Sequence, residues 1–293
     1  LGQIRHVTAA DYPNVGDAIA AFLSHYGATA AGAVLAVAGP IAGERCAITN
    51  SPWVVEAAAL RASFGFSHVR LVNDFEAVAL SLPHLTATDL VPIGGGQAER
   101  GEPMLVLGPG TGFGAAALVW HDGHAIPIAT EGGHNTLPGT SLREDAIIEH
   151  LRGRFGHVSI ERAVSGPGLE NLYSAVAALD GLNVPARNPN DITNAALHEN
   201  CRASRMALDM FCAMLGAVAG NFALTFRAAG GVYIAGGIAP RIVEFLAASD
   251  FRARFESKGR FQEVLQRIPT GVIVHPYPSF PGMQALTETM GAD

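Results

Sequence analysis

The chain has 293 residues, of which 49% are hydrophobic and 15% charged, and its formal net charge is −7 at pH 7. This composition excludes a disordered protein and leaves room for two domains with buried cores. The acidic balance, with no run of basic residues, excludes nonspecific nucleic-acid binding.

Helices and strands alternate in the first part of the chain. The apolar spacing predicts helices over Val15 to Tyr26 and Glu56 to Phe64, and strands over Ala33 to Ala38 and His68 to Val72. A further helix is expected over Phe75 to Leu82. Such alternation predicts an α/β fold built on a largely parallel sheet with helices on its faces.

The next segment, residues 104–115, is an apolar strand that runs into alternate glycines around Thr111. Glycine permits φ > 0 and a close backbone approach, so Gly108, Gly110 and Gly112 can present N–H groups to phosphate oxygens, and the Thr111 hydroxyl adds a donor. The segment therefore predicts a nucleotide-phosphate loop.

Gly110, Gly112 and Ala115 of this segment also match the dinucleotide fingerprint G-x-G-x-x-A, and Glu131 lies at the spacing of the ribose-binding acid. That fingerprint has to open a helix. Here an apolar run continues to Trp120 and ends in His121-Asp-Gly-His124, which is a hairpin signal. Strand, glycine turn, strand is the better interpretation, as in ATP-binding folds of the actin and hexokinase type.

The rest of the chain is richer in helix. The longest apolar stretch, residues 210–226, is interrupted by Asn221 and is shorter than the roughly 20 residues that span a bilayer, so a buried helix is predicted and no membrane span. Its small residues, Gly216 and Gly220 among them, permit close approach of a neighbour. The predicted elements are helices over 142–155, 168–179, 191–198 and 202–227, and strands over 232–235 and 272–274.

Lysine and cysteine usage narrows the chemistry. Lys258 is the single lysine, so no G-x-x-x-x-G-K-[ST] loop exists and a P-loop phosphotransferase is excluded. The three cysteines, Cys46, Cys201 and Cys212, form no C-x-x-C pair, which argues against a disulfide framework or a zinc ribbon and favours the reducing cytoplasm.

Polar residues follow the predicted strands, where open α/β sheets bind ligands. Asn73 and Asp74 stand between a strand and a helix, so Asp74 can be a catalytic base or the N-cap of that helix, and the two roles are not exclusive. Glu131 and His134 flank two glycines and can present a carboxylate and an imidazole to a hydroxyl-rich ligand. Glu161, before a Ser-Gly-Pro-Gly turn, would by itself pass as a surface residue.

Taken together and in order, these segments resemble bacterial glucokinases of the hexokinase and actin-like superfamily. The resemblance implies a ribonuclease H-like fold of two domains with an interdomain cleft: a small α/β domain of residues 1–84 and 276–293, and a larger α+β domain of residues 85–275. The matching stretches are 36–41, 71–75, 108–114, 131–134, 156–162, 165–169 and 230–237.

The resemblance also implies the reaction, ATP-dependent phosphorylation of D-glucose, with Mg²⁺ on the phosphates and a homodimeric enzyme. Asp74 would be the base for the sugar 6-hydroxyl, and the other hydroxyls would be held by Asn73, Glu131, His134 and Glu161. Gly108, Gly110, Thr111 and Gly112 would cradle the phosphates, while Gly236 and Gly237 would admit the adenosine.

One departure from the family pattern lies at the start. These kinases begin with a strand and an Asp-x-Gly-Gly-Thr-type phosphate hairpin, and the sequence as given starts after it, at Leu1. The expectation is a chain that binds glucose and phosphorylates it poorly. A non-catalytic sugar-binding relative is the alternative. A sugar-responsive repressor is not expected, since the sequence as given shows no basic helix-turn-helix segment and no Cys-rich zinc motif.

Overall fold

The computed structural model describes residues 2–49 and 51–290. These residues form a mixed α/β protein. The helices are α1 Val15–Tyr26, α2 Ala57–Phe64, α3 Asp74–Ser81, α4 Leu142–Phe155, α5 Gly166–Leu179, α6 Pro189–His198, α7 Arg202–Phe226, α8 Val243–Ala248, α9 Phe251–Glu256, α10 Gln262–Arg267 and α11 Phe280–Met290. The strands are β1 Gly32–Val37, β2 Ile41–Ala42, β3 Arg45–Ala47, β4 Val54–Glu56, β5 His68–Asn73, β6 Leu90–Gly94, β7 Met104–Pro109, β8 Phe113–His121, β9 His124–Thr130, β10 Val232–Ile234 and β11 Thr270–Ile273.

The chain divides into two compact units. The first contains the described residues up to His84 and those from Tyr277 onward, and the second is Leu85–Pro276. The boundaries predicted from the sequence were 84/85 and 275/276.

In the first unit, β1 and β5 pair in parallel, as the alternation of elements predicted. A second, antiparallel sheet of order β2-β3-β4 was not predicted, because its strands have only two or three residues and carry no readable alternation. Helix α11 returns to pack on α3, where the Gly282 N–H donates to the Ser81 hydroxyl at 2.8 Å. The core of this unit includes Val37, Cys46 and Val55.

The second unit is built on a six-stranded sheet of order β6-β11-β10-β7-β8-β9. Only the central strands β11, β10 and β7 run in parallel; β6, β8 and β9 are antiparallel to their neighbours. The mixed sheet agrees with the α+β character that the resemblance implied for the larger domain. Hairpins produce the antiparallel pairing of β7, β8 and β9, and Asp122 and Gly123, both with positive φ, close the tight turn from β8 to β9.

Helix α7 lies at the centre of the second unit's core. It is long and apolar enough to cross a membrane, but 78% of its most apolar window is buried inside the protein, which confirms the predicted buried helix. Any side chain at Gly216 would collide with the backbone of Phe251, so the missing Cβ lets α9 approach closely. Next to this contact, the Lys258 ammonium donates to the Ala217 carbonyl of α7 at 2.9 Å.

Candidate active site

Asn73 and Asp74 lie in the first unit, at the junction of β5 and α3. Asn73 is the N-cap: its Oδ1 accepts from the N–H groups of Phe75 at 2.9 Å and Glu76 at 3.2 Å, and the Glu76 carboxylate accepts from the Asn73 N–H. This is a reciprocal capping box. The alternative of Asp74 as the N-cap is wrong, and α3 begins at Asp74, one residue earlier than expected.

Asp74 has a buried neighbour with a titratable group, Cys46. Burial raises the pKa of the Cys46 thiol, and the negative charge of Asp74 raises it further. The thiol is therefore neutral at physiological pH.

The glycine segment forms a hairpin, as predicted. Gly108 lies buried inside β7 opposite Gly114 of β8, so the turn itself is restricted to residues 110–112. The Gly110 N–H donates to the Gly112 carbonyl at 2.8 Å, and Thr111 is exposed at the tip. The expected positive φ does not occur at Gly110 or Gly112. At Gly112 the missing Cβ permits a close approach instead, whereas a Cβ at Gly110 would meet nothing within 4 Å.

That close approach is to Glu161. Its Oε2 accepts from the Phe113 N–H at 2.9 Å, and a Cβ at Gly112 would stand only 2.5 Å from the same oxygen. Glu161 lies in the short 3₁₀ turn Ile160–Arg162. The Glu161 carboxylate, which by sequence alone would pass as a surface residue, is thus anchored to the glycine hairpin through Oε2.

Glu131 precedes the 3₁₀ turn Gly132–His134, which follows β9, and His134 is the last residue of that turn. Both side chains are largely exposed, at 81% and 65%, and the His134 Nε2 stands 3.9 Å from the Glu131 Oε2. Two close contacts fix the position of this turn. A side chain at Gly133 would overlap the Phe113 carbonyl, and one at Gly132 would overlap the ring of Phe222.

Backbone hydrogen bonds bring this turn to Glu161. The Ile160 N–H donates to the Asn135 carbonyl at 2.9 Å, and the Leu137 N–H donates to the Val158 carbonyl at 3.0 Å. Three predicted sugar-binding residues of the second unit therefore stand on two paired segments, both in contact with the start of β8. They are Glu131, His134 and Glu161.

Gly236 and Gly237 follow β10 on the other side of the glycine hairpin. Gly236 has φ +85°, and a side chain there would meet the backbone of Pro109. Gly237 borders a cavity of about 170 Å³ whose other walls include Asn190 and Thr193 of α6 and Arg241. The Arg241 Nη1 donates to the Asn190 Oδ1 at 2.8 Å.

The N-terminus of α5 faces the same hairpin. The Gly166 N–H donates to the Gly110 carbonyl at 2.8 Å, and the Ser165 hydroxyl caps the helix through the Gly168 N–H at 2.9 Å. A helix N-terminus adds positive partial charge, which favours phosphate. The sequence predicted α5 and α6 as helices but gave no role to the N-terminus of α5 or to the α6 wall of the cavity. The N-cap motifs Ser165-Gly-Pro-Gly and Asn188-Pro-Asn-Asp could have indicated where these helices begin.

Comparison with known proteins gives a consistent result. A family model described as Glucokinase matches residues 1–290. The chain is 48% identical over 280 residues to a glucokinase of Paramagnetospirillum magneticum, covering 94% of this chain and 87% of that protein. It is 42% identical over 292 residues to a glucokinase of Citrobacter koseri, covering 99% and 91%. The crystal structure of a glucokinase from an Antarctic psychrotroph has a TM-score of 0.89 at 33% identity, covering 97% and 88%.

Proposed function

The chain belongs to the glucokinase family, and from that premise we propose how its residues transfer the γ-phosphoryl group of ATP to the 6-hydroxyl of D-glucose. The product is glucose 6-phosphate, and the reaction is the entry step of glycolysis. A non-catalytic or inactive form is not favoured, because the relatives matched over nearly the full length are named as glucokinases.

Asp74 is the proposed catalytic base. It accepts the proton of the 6-hydroxyl as O6 attacks the γ-phosphorus, the bond from that phosphorus to the bridging oxygen breaks, and ADP leaves. The observation that carries this assignment is the position of the carboxylate: Asp74 is the first residue of α3, beside the capping box of Asn73 and Glu76, and its Oδ1 accepts from the Phe75 N–H at 2.9 Å, which orients the carboxylate at the end of β5.

The remaining sugar hydroxyls are assigned to four polar side chains. Each hydroxyl both donates and accepts, so a set of carboxylates, an amide and an imidazole can read an equatorial pattern. The Oδ1 of Asn73 is engaged in the cap, which leaves its amide N–H groups to donate to the sugar. The anchored Glu161 supplies a fixed acceptor, and Glu131 and His134 complete the set.

The nucleotide is assigned to the glycine hairpin and the cavity beside Gly237. Thr111 and Gly112 offer the phosphates backbone N–H groups and a hydroxyl, while Gly110 closes the turn through its N–H and Gly108 lies in the paired strand beneath them. Gly236 and Gly237 admit the adenosine toward the cavity lined by α6. The N-terminus of α5 adds favourable charge to the phosphate side.

Mg²⁺ is proposed as part of the substrate, bound to the phosphates of ATP. Within residues 2–49 and 51–290, no group of three or more His, Cys, Asp or Glu side chains could hold a metal ion. An all-protein metal site does not fit these residues, whereas Mg²⁺ commonly keeps water and substrate phosphates as ligands. We also propose a homodimer in the cytoplasm, as the family resemblance and the unpaired cysteines suggest.

Replacing Asp74 tests the mechanism. Asp74→Asn keeps the size of the side chain and removes the proton acceptor, so the rate of glucose 6-phosphate formation should fall by about 10² to 10⁴ while glucose affinity changes little. Asp122→Asn, which removes an exposed carboxylate from the β8–β9 turn, is the matched control and should keep the wild-type rate. Near-normal turnover of the Asp74 variant in a coupled assay would assign Asp74 a structural role only.

A further inference from the structure

Another cavity of the second unit is assigned no ligand by the function proposed above. It lies between the C-terminal half of α7 and the turn after β9, and its volume is about 560 Å³, compared with about 170 Å³ for the cavity beside Gly237. Small-molecule sites generally have volumes of about 300–1,000 Å³. The cavity is therefore large enough for a ring-sized ligand, and the side chains that line it decide which kind fits.

One wall of this cavity is a single face of α7. The wall residues recur at intervals of three and four, which places them on one side of a helix. The rings of Phe222 and Phe226 stack with an interplanar angle of 7° and a centroid distance of 6.4 Å, and Phe226 is half-buried. The wall consists of Val218, Asn221, Phe222, Thr225 and Phe226. Its apolar members give the cavity an aromatic surface.

Asn221 is the residue that interrupts the longest apolar stretch of the sequence, and it lines this cavity. Asparagine is a weak helix former, so its presence here does not serve the helix itself. The Thr225 hydroxyl donates to the Asn221 carbonyl at 2.9 Å, whereas the Asn221 side-chain amide has no hydrogen-bond partner in the described part of the chain. The amide and the hydroxyl lone pairs are therefore available to a ligand in the cavity.

The opposite wall comes from the segment that follows β9. Asn135 and Thr136 are exposed there, and the Thr136 Oγ1 lies 3.1 Å from the His157 Nε2. The Ile160 N–H donates to the Asn135 carbonyl at 2.9 Å and holds the backbone of this wall. The Asn135 side chain has no hydrogen-bond partner among the described residues. Each wall thus presents one amide, and each amide can both donate and accept.

The charge of the lining narrows the class of ligand. Among the described residues that border the cavity, Glu131 is the only charged side chain, and none is lysine or arginine. A phosphate or carboxylate ligand would therefore be repelled by Glu131 and would find no positive partner. A ring with neutral hydroxyl groups fits better, because its C–H face can cover the aromatic wall while its hydroxyls bind the amides.

Glu131 belongs both to this lining and to the side chains assigned to glucose. We propose that the cavity is an accessory saccharide subsite, which holds the second ring of a glucose disaccharide while the first ring occupies the proposed glucose site. This inference rests on the proposed function, since the first ring needs that site. No bond is made or broken, and the disaccharide binds in competition with glucose.

Isothermal titration calorimetry of the full chain without nucleotide tests the subsite. Maltose is compared with methyl α-glucoside, and cellobiose with methyl β-glucoside, so that each pair shares the first ring and its anomeric configuration and differs in the second ring. At least one disaccharide should bind about tenfold more tightly than its glucoside, which is the gain expected from two new hydrogen bonds. Equal or weaker binding of both disaccharides would overturn the proposal.

Two variants locate the second ring. Asn221→Ala and Thr225→Val each remove a polar group from the cavity and should each weaken disaccharide binding by about three- to tenfold, with glucose affinity unchanged. Both residues are exposed, and alanine is the better helix former at residue 221, so folding should be retained. Leu224→Ala, on the same turn of α7 but outside the lining, is the matched control. Unchanged disaccharide affinity in both variants would show that the second ring binds elsewhere and would refute the subsite.

Titration with glucose separates failure of this proposal from failure of the proposed function. A wild-type chain that binds glucose, but binds neither disaccharide more tightly than its glucoside, keeps the function and loses the subsite. A chain that binds no glucose contradicts the proposed function, and the subsite is then wrong as well. A disaccharide that competes with glucose in the wild type and competes less well in Asn221→Ala supports both.

Discussion

Gly132 offers a test of how the turn proposed to bind the sugar is positioned. A Cβ at residue 132 would lie 2.6 Å from the Phe222 Cε1, where ordinary contacts begin at 3.4 Å. The ring therefore has to retreat by at least about 0.8 Å, the difference between these distances, or the turn has to rise by that amount. The Phe222 ring is 8% exposed and packed in the core, so both responses are costly.

Two consequences of Gly132→Ala can be estimated. Overpacking of this size costs about 1–3 kcal/mol of unfolding free energy. Misplacement of a binding group by about 1 Å can cost about 10² in efficiency, so the kcat/KM for glucose should fall by roughly 10- to 100-fold. Residue 132 has no positive φ, so backbone strain adds nothing.

Denaturant unfolding and steady-state kinetics measure the two effects. Phe222→Leu shortens the side chain and should restore part of both losses in the double variant, since the two changes share one contact. Gly153→Ala is the matched control: an added Cβ there meets nothing within 4 Å, and α4 should gain a few tenths of a kcal/mol or more. Wild-type stability and KM in Gly132→Ala would refute the argument that Phe222 positions this turn.

Three further predictions address the site. Asn73→Ala should cost about 1 kcal/mol of stability through the lost cap and also weaken glucose binding, whereas Asn73→Asp should keep the cap and lose only glucose affinity; thermal melts and titrations that fail to separate the two variants would contradict the dual role. Galactose should bind more weakly than glucose by about 1–3 kcal/mol, because a displaced hydroxyl leaves buried polar groups unpaired; equal affinities by calorimetry would disprove the hydroxyl-reading set. Chelation by EDTA should abolish phosphorylation and leave the melting temperature unchanged, since no metal cluster exists among the described residues; a marked drop in Tm would show a structural metal.

Much of the fold could be predicted because its signals are local. The structure places α1 and α4 at the predicted bounds, and the strand-turn-strand interpretation of residues 104–115 is confirmed by the pairing of β7 with β8. The turn was readable since the hairpin signal at Asp122 and Gly123 follows within a dozen residues. The comparisons confirm the family and the fold class, while the roles of the site residues stay predictions.

The competition at the start of α3 shows where local reading fails. Asn and Asp are both good N-caps, and two such residues stand side by side. Backbone geometry alone decides which of them has the extended conformation of a cap, and it selects Asn73, with φ −64° and ψ 148°. The choice makes Asp74 the first residue of α3, where its Oδ1 accepts from the Phe75 N–H at 2.9 Å.

The sequence by itself determined the kinase family, the positions of most helices and strands, and the segments that carry the candidate site. Only the tertiary structure decided which groups meet: Glu161 with the Phe113 N–H across 48 residues, and the ring of Phe222 with Gly132. Hydrophobic periodicity and turn chemistry depend on residues that are close in the sequence, so the helices, strands and turns that they specify can be predicted from it. Contacts between distant segments depend on how whole elements pack, and no single stretch of sequence records that.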